Sequence, residues 1–216
     1  MPAEPRFTAP DPRDVDPRAV RRAFGRAATT YDAVAVLQRE VAARMAARLD
    51  YVKVTPALIL DAGCGPGRVG AVLHARGHDV VGVDVDPELI AAARQDHPGP
   101  TWLVADLVDL DLPTLGVAEP FHAAVVAGNV MAFVAVGTEP DVLCRIAAHL
   151  VADAIVVVGF GTDRGYPLHD FDAHVAAAGL TLEHRFATWD LRPWHDEARF
   201  AVSVLRLPAP DEEDKR

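Results

Sequence analysis

Three carboxylates and a run of glycines are the residues of this chain whose types and spacing suit chemistry. Asp61 follows the apolar run Leu58-Ile59-Leu60, and Gly63, Gly65 and Gly67 come after it at every second position. Glycine lets the backbone turn tightly and approach a ligand with no Cβ in the way. Val69, Val72 and Leu73 then fall at helical spacing, so the loop feeds a helix whose unpaired N–H groups point back at the same spot. A strand, a glycine loop and a helix N-terminus together cradle a polar, partly anionic small molecule. Two further acids stand in equivalent places: Asp84 after Asp79–Val83, and Asp106 after Trp102–Ala105.

The glycines admit two cofactors. Gly65-Pro66-Gly67-Arg68-Val69-Gly70 matches G-x-G-x-x-G, and Asp84 lies about 20 residues on, as in a dinucleotide fingerprint for NAD. Asp61-x-Gly63-x-Gly65-x-Gly67 instead resembles the D-x-G-x-G-x-G loop of class I S-adenosylmethionine (SAM) methyltransferases. An acid ahead of the glycines would repel a pyrophosphate but attract the ammonium of a methionine moiety. An acid also ends the third strand, in Leu103-Val104-Ala105-Asp106, where such methyltransferases hold the adenine amino group. The chain closes on two strands with no helix between them, which a plain dinucleotide domain does not need. SAM is therefore the preferred cofactor and NAD the alternative.

The resemblance to class I SAM-dependent methyltransferases runs over residues 57–206. It implies that Asp61 and the backbone of Gly63, Gly65 and Gly67 hold the methionine part, and that Asp84 takes the ribose hydroxyls. It sets Val85 against the adenine and Asp106 and Leu107 at its far edge. Gly128 and Asn129 match the stretch that runs under the methionine and faces the acceptor. Asp84 and Asp106 also suit helix caps or turns, Asn129 suits a turn, and Asp86 suits the cap of a helix opened by Pro87. His122 stands where the family commonly has an aspartate and is assigned no chemistry.

The N-terminal segment from Ala23 to Asp32, with Leu37-Gln38, is similar to the opening of malonyl-carrier-protein methyltransferases of biotin synthesis and of some quinone methyltransferases. The likeness implies that Tyr31 folds over the cofactor; a tyrosine packing two helices together is the other reading. After the fifth strand the chain departs from the carrier-protein enzymes. Only Phe160–His169 separates strand from helix, where they tend to carry an added cover over the acceptor.

The elements that must position these residues follow from periodicity. Residues 1–15 hold four prolines and no pattern, so a disordered leader is expected there. Residues 16–55 read as a helical N-terminal cap, with Val34, Leu37, Val41, Met45 and Leu49 as one apolar stripe. From 56 to 208 strands and helices alternate, and 209–216 is a charged tail. The spacing predicts helices over Arg68–Arg76, Pro87–Gln95, Glu139–Leu150 and Asp170–Ala178. Strands are predicted over Leu58–Leu60, Asp79–Val83, Trp102–Ala105, Phe121–Ala127, Ala154–Gly159, Leu180–Thr188 and Ala198–Leu207. Repeated strand–helix units demand a mostly parallel sheet. The expected fold is α/β: a Rossmann-like doubly wound sheet of seven strands with a C-terminal antiparallel hairpin.

The chain has 216 residues and a net charge of −10, which disfavours general nucleic-acid binding. No apolar run is long enough for a membrane span. Two cysteines, Cys64 and Cys144, and nine scattered histidines give no disulfide framework or metal spacing, which suits a reduced cytoplasmic setting. Between Arg18 and Arg48 seven arginines face only Asp32 and Glu40, a solvated face or a docking surface for an acidic carrier protein.

SAM already carries an electrophilic methyl, so the expected activity is methyl transfer to a small-molecule acceptor by in-line displacement. A base is needed only if the acceptor keeps its proton until late. Candidates around the acceptor are Tyr31, Asn129, Met131, Tyr166, His169, Trp189, Arg192 and Trp194, with Tyr31, Asn129 and His169 the ones suited to catalysis. Trp189 and Trp194 suit either stacking on a flat acceptor or closing the core beside the last hairpin. A non-catalytic SAM-binding or partner-docking module is the remaining alternative.

Overall fold

The computed structural model describes residues 57–209. The expected leader, the expected helical cap over residues 16–55 with Tyr31 and the arginines between Arg18 and Arg48, and all but the start of the tail lie outside the described residues.

Short runs rich in β-branched residues make the strands, and β1, β2, β4 and β5 each lead into a helix. The order is β1 (Leu58–Ala62), α1 (Arg68–Ala75), β2 (Asp79–Asp84), α2 (Pro87–Asp96), β3 (Thr101–Val104), β4 (Phe121–Val126), α3 (Val130–Phe133), α4 (Glu139–Ala148), β5 (Leu150–Gly161), α5 (Leu168–Ala177), β6 (Thr181–Phe186) and β7 (Phe200–Arg206). One sheet holds them in the order β3-β2-β1-β4-β5-β7-β6. β1 to β5 pair in parallel, and β7 runs antiparallel between β5 and β6. The strand order reverses between β1 and β4, so the crevice where ligands bind in such sheets opens at their carboxyl ends.

Alternation along the central strands sorts the core into two layers. Leu60, Val81, Ala124, Val126, Val156 and Phe160 pack with Val142, Leu143 and Ile146 of α4 and Phe171 of α5. Ile59, Val80, Ala123 and Val125 point the other way, onto Leu73 of α1. Cys64 and Trp102 join Ile90 and Ala93 of α2 in a smaller cluster.

The sheet and the C-terminal antiparallel pair match expectation, while several boundaries move for local reasons. α4 stops at Ala148, because Phe121 N–H takes the His149 carbonyl at 2.8 Å and draws the chain into the sheet. β5 therefore begins at Leu150, four residues before its expected start, and its pairing with β4 slips between Phe121 and Ala123. Asp153 sits in the slip at φ 66°, and its carbonyl and carboxylate each accept from Arg206 at 3.0 Å. The turn of helix α3 and a 3-10 turn over Pro113–Leu115 carry too little periodicity to read in sequence.

Candidate functional site

The site is built at the carboxyl ends of β1, β2 and β4. Gly63 and Cys64 N–H both bond the Val83 carbonyl, at 2.8 and 2.9 Å, which clamps the glycine loop onto the end of β2. Gly63, Gly65 and Gly67 all have positive φ. They nevertheless serve different ends. A Cβ on Gly63 would come within 2.3 Å of Val130, and one on Gly67 within 2.7 Å of Trp102. A Cβ on Gly65 would meet nothing within 4 Å, and the same holds for Gly128 after β4. Gly63 and Gly67 are tight against protein; Gly65 and Gly128 border open space.

Asp61 is 1% exposed, and its Oδ2 accepts from Gly70 N–H at 2.8 Å. Burial pushes its pKa up to about 7, against the pull of the Gly70 bond and helped by the charge of Asp84. It has no cationic partner among the described residues. Asp84 spans the loop: its Oδ2 accepts from Gly65 N–H at 2.8 Å and its Oδ1 from Asp86 N–H at 3.0 Å. Burial raises the Asp84 pKa as well, against those backbone bonds. A buried and a half-buried carboxylate thus hold the glycine loop, Asp61 at Gly70 and Asp84 at the Gly65 that faces open space. A carboxylate accepts at about four lone-pair positions, so Asp84 keeps capacity for two hydroxyls.

The other residues expected at the cofactor divide. Val85 is half-buried beside Asp84. Asp106 is exposed, with Oδ1 accepting from Val108 N–H at 3.1 Å in a turn. The Leu107 side chain lies in the core, so only its backbone is available to a ligand. Asp86 caps α2, accepting from Glu88 N–H at 2.8 Å, as the Pro87 pattern implies. Asn129 adopts φ 67°, its Oδ1 accepts from Gly161 N–H at 2.7 Å, and its N–H reaches the Gly159 carbonyl at 3.3 Å. It ties the turn after β4 to the end of β5.

The acceptor-side candidates occupy several different places in the structure. Met131 and Tyr166 are core residues, and the Tyr166 hydroxyl bonds His174 Nδ1 at 2.8 Å. His169 is in the first turn of α5, with its side chain 83% exposed and paired with Asp170 at 3.2 Å. Arg192 pairs with Asp190, and Trp194 lies against the Arg185 guanidinium. Trp189 packs over Gly159 and near Phe200, closing the sheet beside the last hairpin. His122 is at the opposite end of the sheet, its Nδ1 facing Leu58 N–H at 3.4 Å.

One organising residue escapes the sequence reading. Trp102 lies against the backbones of Gly67, Gly70 and Gly82, and its Nε1–H donates to the His97 carbonyl at 2.9 Å. Gly70 is therefore required by an indole, with Asp61 close behind it, and not by a pyrophosphate. Glycine inside the otherwise apolar strand Asp79–Asp84 signals such a close approach.

A glycine loop between β1 and the N-terminus of α1, with acids at neighbouring strand ends, defines a nucleotide-cofactor-binding α/β protein. Comparison with known proteins narrows the class. The family described as Methyltransferase domain matches residues 59–153. A TehB-like SAM-dependent methyltransferase from Corynebacterium glutamicum is 41% identical, with 75% of this chain and 86% of that chain covered and a TM-score of 0.69. Malonyl-[acyl-carrier protein] O-methyltransferase of a Methylovorus species is 60% identical over 62 residues, which are 29% of this chain and 21% of that protein. The enzyme of the same name from Halorhodospira halophila is 41% identical over 108 residues, 48% of this chain and 37% of that protein. The chain thus matches well under half the length of these two carrier-protein relatives. It belongs to the SAM-dependent methyltransferases. Among the described residues, no helix is long and apolar enough to cross a membrane.

Proposed function

We propose that this chain transfers the methyl group of SAM to a small-molecule acceptor in a cytoplasmic setting. The observation that carries the proposal is the pair Asp61, buried, and Asp84, half-buried, both raised in pKa and bonded to the glycine loop at Gly70 and Gly65. A buried carboxylate with one backbone donor and no cation is stabilised by a positive ligand. The methionine ammonium would meet Asp61, the ribose hydroxyls Asp84, and the methionine chain the backbone at Gly65 and Gly128. Val85 would line the adenine, with Asp106 and the Leu107 backbone at its edge.

When bound, SAM supplies an electrophilic methyl on a sulfonium, so the protein has no reactive centre to create. Its residues orient and exclude water. Asp61 and Asp84 would fix the cofactor's methionine and ribose parts, while Asn129 holds the β4 turn against β5 on the acceptor side. Positioning of this kind is worth roughly 7–11 kcal/mol at best.

The carrier-protein relatives favour one refinement, an acceptor carried on an acidic acyl-carrier protein, with the arginine-rich stretch Arg18–Arg48 as its docking face. The test is incubation with methyl-labelled SAM and cell metabolite extract, with and without carrier protein, followed by mass-shift detection. A labelled product with retention of S-adenosylhomocysteine (SAH) is expected. Absence of SAH binding by calorimetry, with quenching of NADH fluorescence instead, would overturn the reading.

A further inference from the structure

β5 ends Val158-Gly159-Phe160-Gly161, so two glycines share one face while Phe160 points into the core between them. Each glycine is covered by a side chain from a neighbouring loop. The Trp189 indole lies over Gly159, where a Cβ would come within 2.1 Å of it, and the Arg164 stem lies over Gly161, 3.0 Å from the same construction. Asn129 holds Gly161 N–H from the β4 side. An indole, a guanidinium stem and the Asn129 turn therefore surround one spot at the carboxyl ends of β4 and β5, beside the open Gly128.

Arg164 is exposed and makes no ion pair or side-chain hydrogen bond among the described residues. Arg185 is committed to Asp172 and Ser203, Arg192 to Asp190, and Arg206 to Glu183 and Asp153. Arg199, whose carbonyl accepts from Thr162 N–H, is exposed and also outside any ion pair among the described residues, but only Arg164 lays its stem over Gly161. Asp163, whose Oδ1 reaches 3.3 Å from the Gly161 Cβ position, forms no ion pair with Arg164 either. A guanidinium presents paired donors in a fork that matches a carboxylate.

We propose that Arg164 selects a carboxylate-bearing acceptor, holding it over Gly161 with Trp189 as the apolar wall. The proposal rests on the methyltransferase reading and names the substrate class of that site. It also explains why His169, the histidine with catalytic promise, can sit apart on the α5 surface. A carboxylate oxygen has no proton to lose. Its lone pair forms the new O–CH3 bond, the S–CH3 bond breaks with its electrons going to sulfur, and the carboxylate and sulfonium charges cancel. No base takes part.

The test uses the full chain with methyl-labelled SAM and a panel of aliphatic, aromatic and thioester-linked carboxylic acids, each paired with its primary amide. Methyl ester formation from acids over amides is expected, with Arg164→Gln raising acceptor KM about tenfold or more and Arg164→Lys falling between. The SAH dissociation constant by calorimetry should stay within about twofold in both variants. A thioester acid used only when attached to carrier protein identifies a carrier-borne carboxylate; turnover of the free acid identifies a small one. Equal turnover of amides, no turnover of any acid by an SAH-binding wild type, or an unchanged KM in Arg164→Gln overturns the proposal. Failure of the wild type to bind SAH overturns the methyltransferase reading instead.

Discussion

Asp84 Oδ2 accepts from Gly65 N–H at 2.8 Å, so the acid at the end of β2 is wired directly to the one loop glycine that faces open space. The two features that sequence reads as separate motifs are thereby one structural unit. Replacing Asp84 by Asn keeps the shape, removes the charge and halves the acceptor capacity. Asp84→Asn should weaken SAH binding about tenfold or more, equivalent to about 1.4 kcal/mol. Its melting temperature without ligand should fall modestly, because the amide NH2 must face one of the two backbone donors, Gly65 or Asp86 N–H, and removing the charge offsets that loss only in part. Calorimetry and thermal melts on the same preparations separate the two effects.

Asp61 makes cofactor binding depend on pH. Its pKa in the free protein is raised to about 7 by burial, and a cationic ammonium binds the ionised form. Protonation therefore competes with the ligand, so SAH affinity should rise with pH up to about 7 and level off above it. The free protein should show the opposite trend. Its folded state holds the Asp61 proton more tightly than the unfolded chain does, so this contribution to stability is greatest near pH 4 and lost as pH rises to about 7. Calorimetry in buffers of different ionisation heat should also register proton release on binding. A flat affinity profile from pH 5.5 to 8 would remove Asp61 from the ligand's surroundings.

How far these relationships are legible in sequence differs by residue. The alternation of apolar runs with Asp61, Asp84 and Asp106 is enough for the doubly wound sheet, because parallel strands need crossovers and ligands gather at their carboxyl ends. The cap role of Asp86 is equally readable, since Pro87 follows it. Roles that depend on contacts distant in sequence are not. Gly63 meets Val130, Gly161 meets Asn129, and Gly159 meets Trp189; no local periodicity encodes these pairs. Asn129 in particular reads as a turn former or as an acceptor contact, whereas its side-chain oxygen in fact reaches across to β5. Met131 and Tyr166 carry polar or polarisable atoms that attract a functional reading, yet both are claimed by the core.

Trp102 should be the most demanding packing residue of the α1–α2 layer. A Cβ on Gly82 would lie 2.2 Å from its ring, and the ring is confined by Gly67 and Gly70 on its other sides. Gly82→Ala should therefore cost about 1–3 kcal/mol or more through overpacking. Trp102→Leu should cost a comparable amount through a cavity. Because the two defects share one space, the double variant should be more stable than the sum of the single losses, by about 0.5–3 kcal/mol. Urea denaturation of the four proteins measures this coupling. Strict additivity would mean that the indole moves aside at little cost.

Asn129 combines two demands that substitutions can separate. Its φ of 67° favours Gly, Asn or Asp, and its Oδ1 is the acceptor for Gly161 N–H. Asn129→Asp keeps both properties and should be the mildest change in stability. Asn129→Gly keeps the backbone but leaves the Gly161 N–H without its acceptor, at about 1–3 kcal/mol. Asn129→Ala loses the bond and adds the left-handed strain, a further cost of about 1–2 kcal/mol. The expected order of stability is Asp, then Gly, then Ala, read from denaturant midpoints. Methyl transfer should follow a different order if Asn129 also positions the acceptor: Asp adds a negative charge beside the carboxylate expected at Arg164. Asn129→Asp should then lose turnover while remaining folded, and Asn129→Gly should retain more activity than Asn129→Asp despite its lower stability. Activities that track stability across all three variants would confine Asn129 to holding the β4 turn against β5.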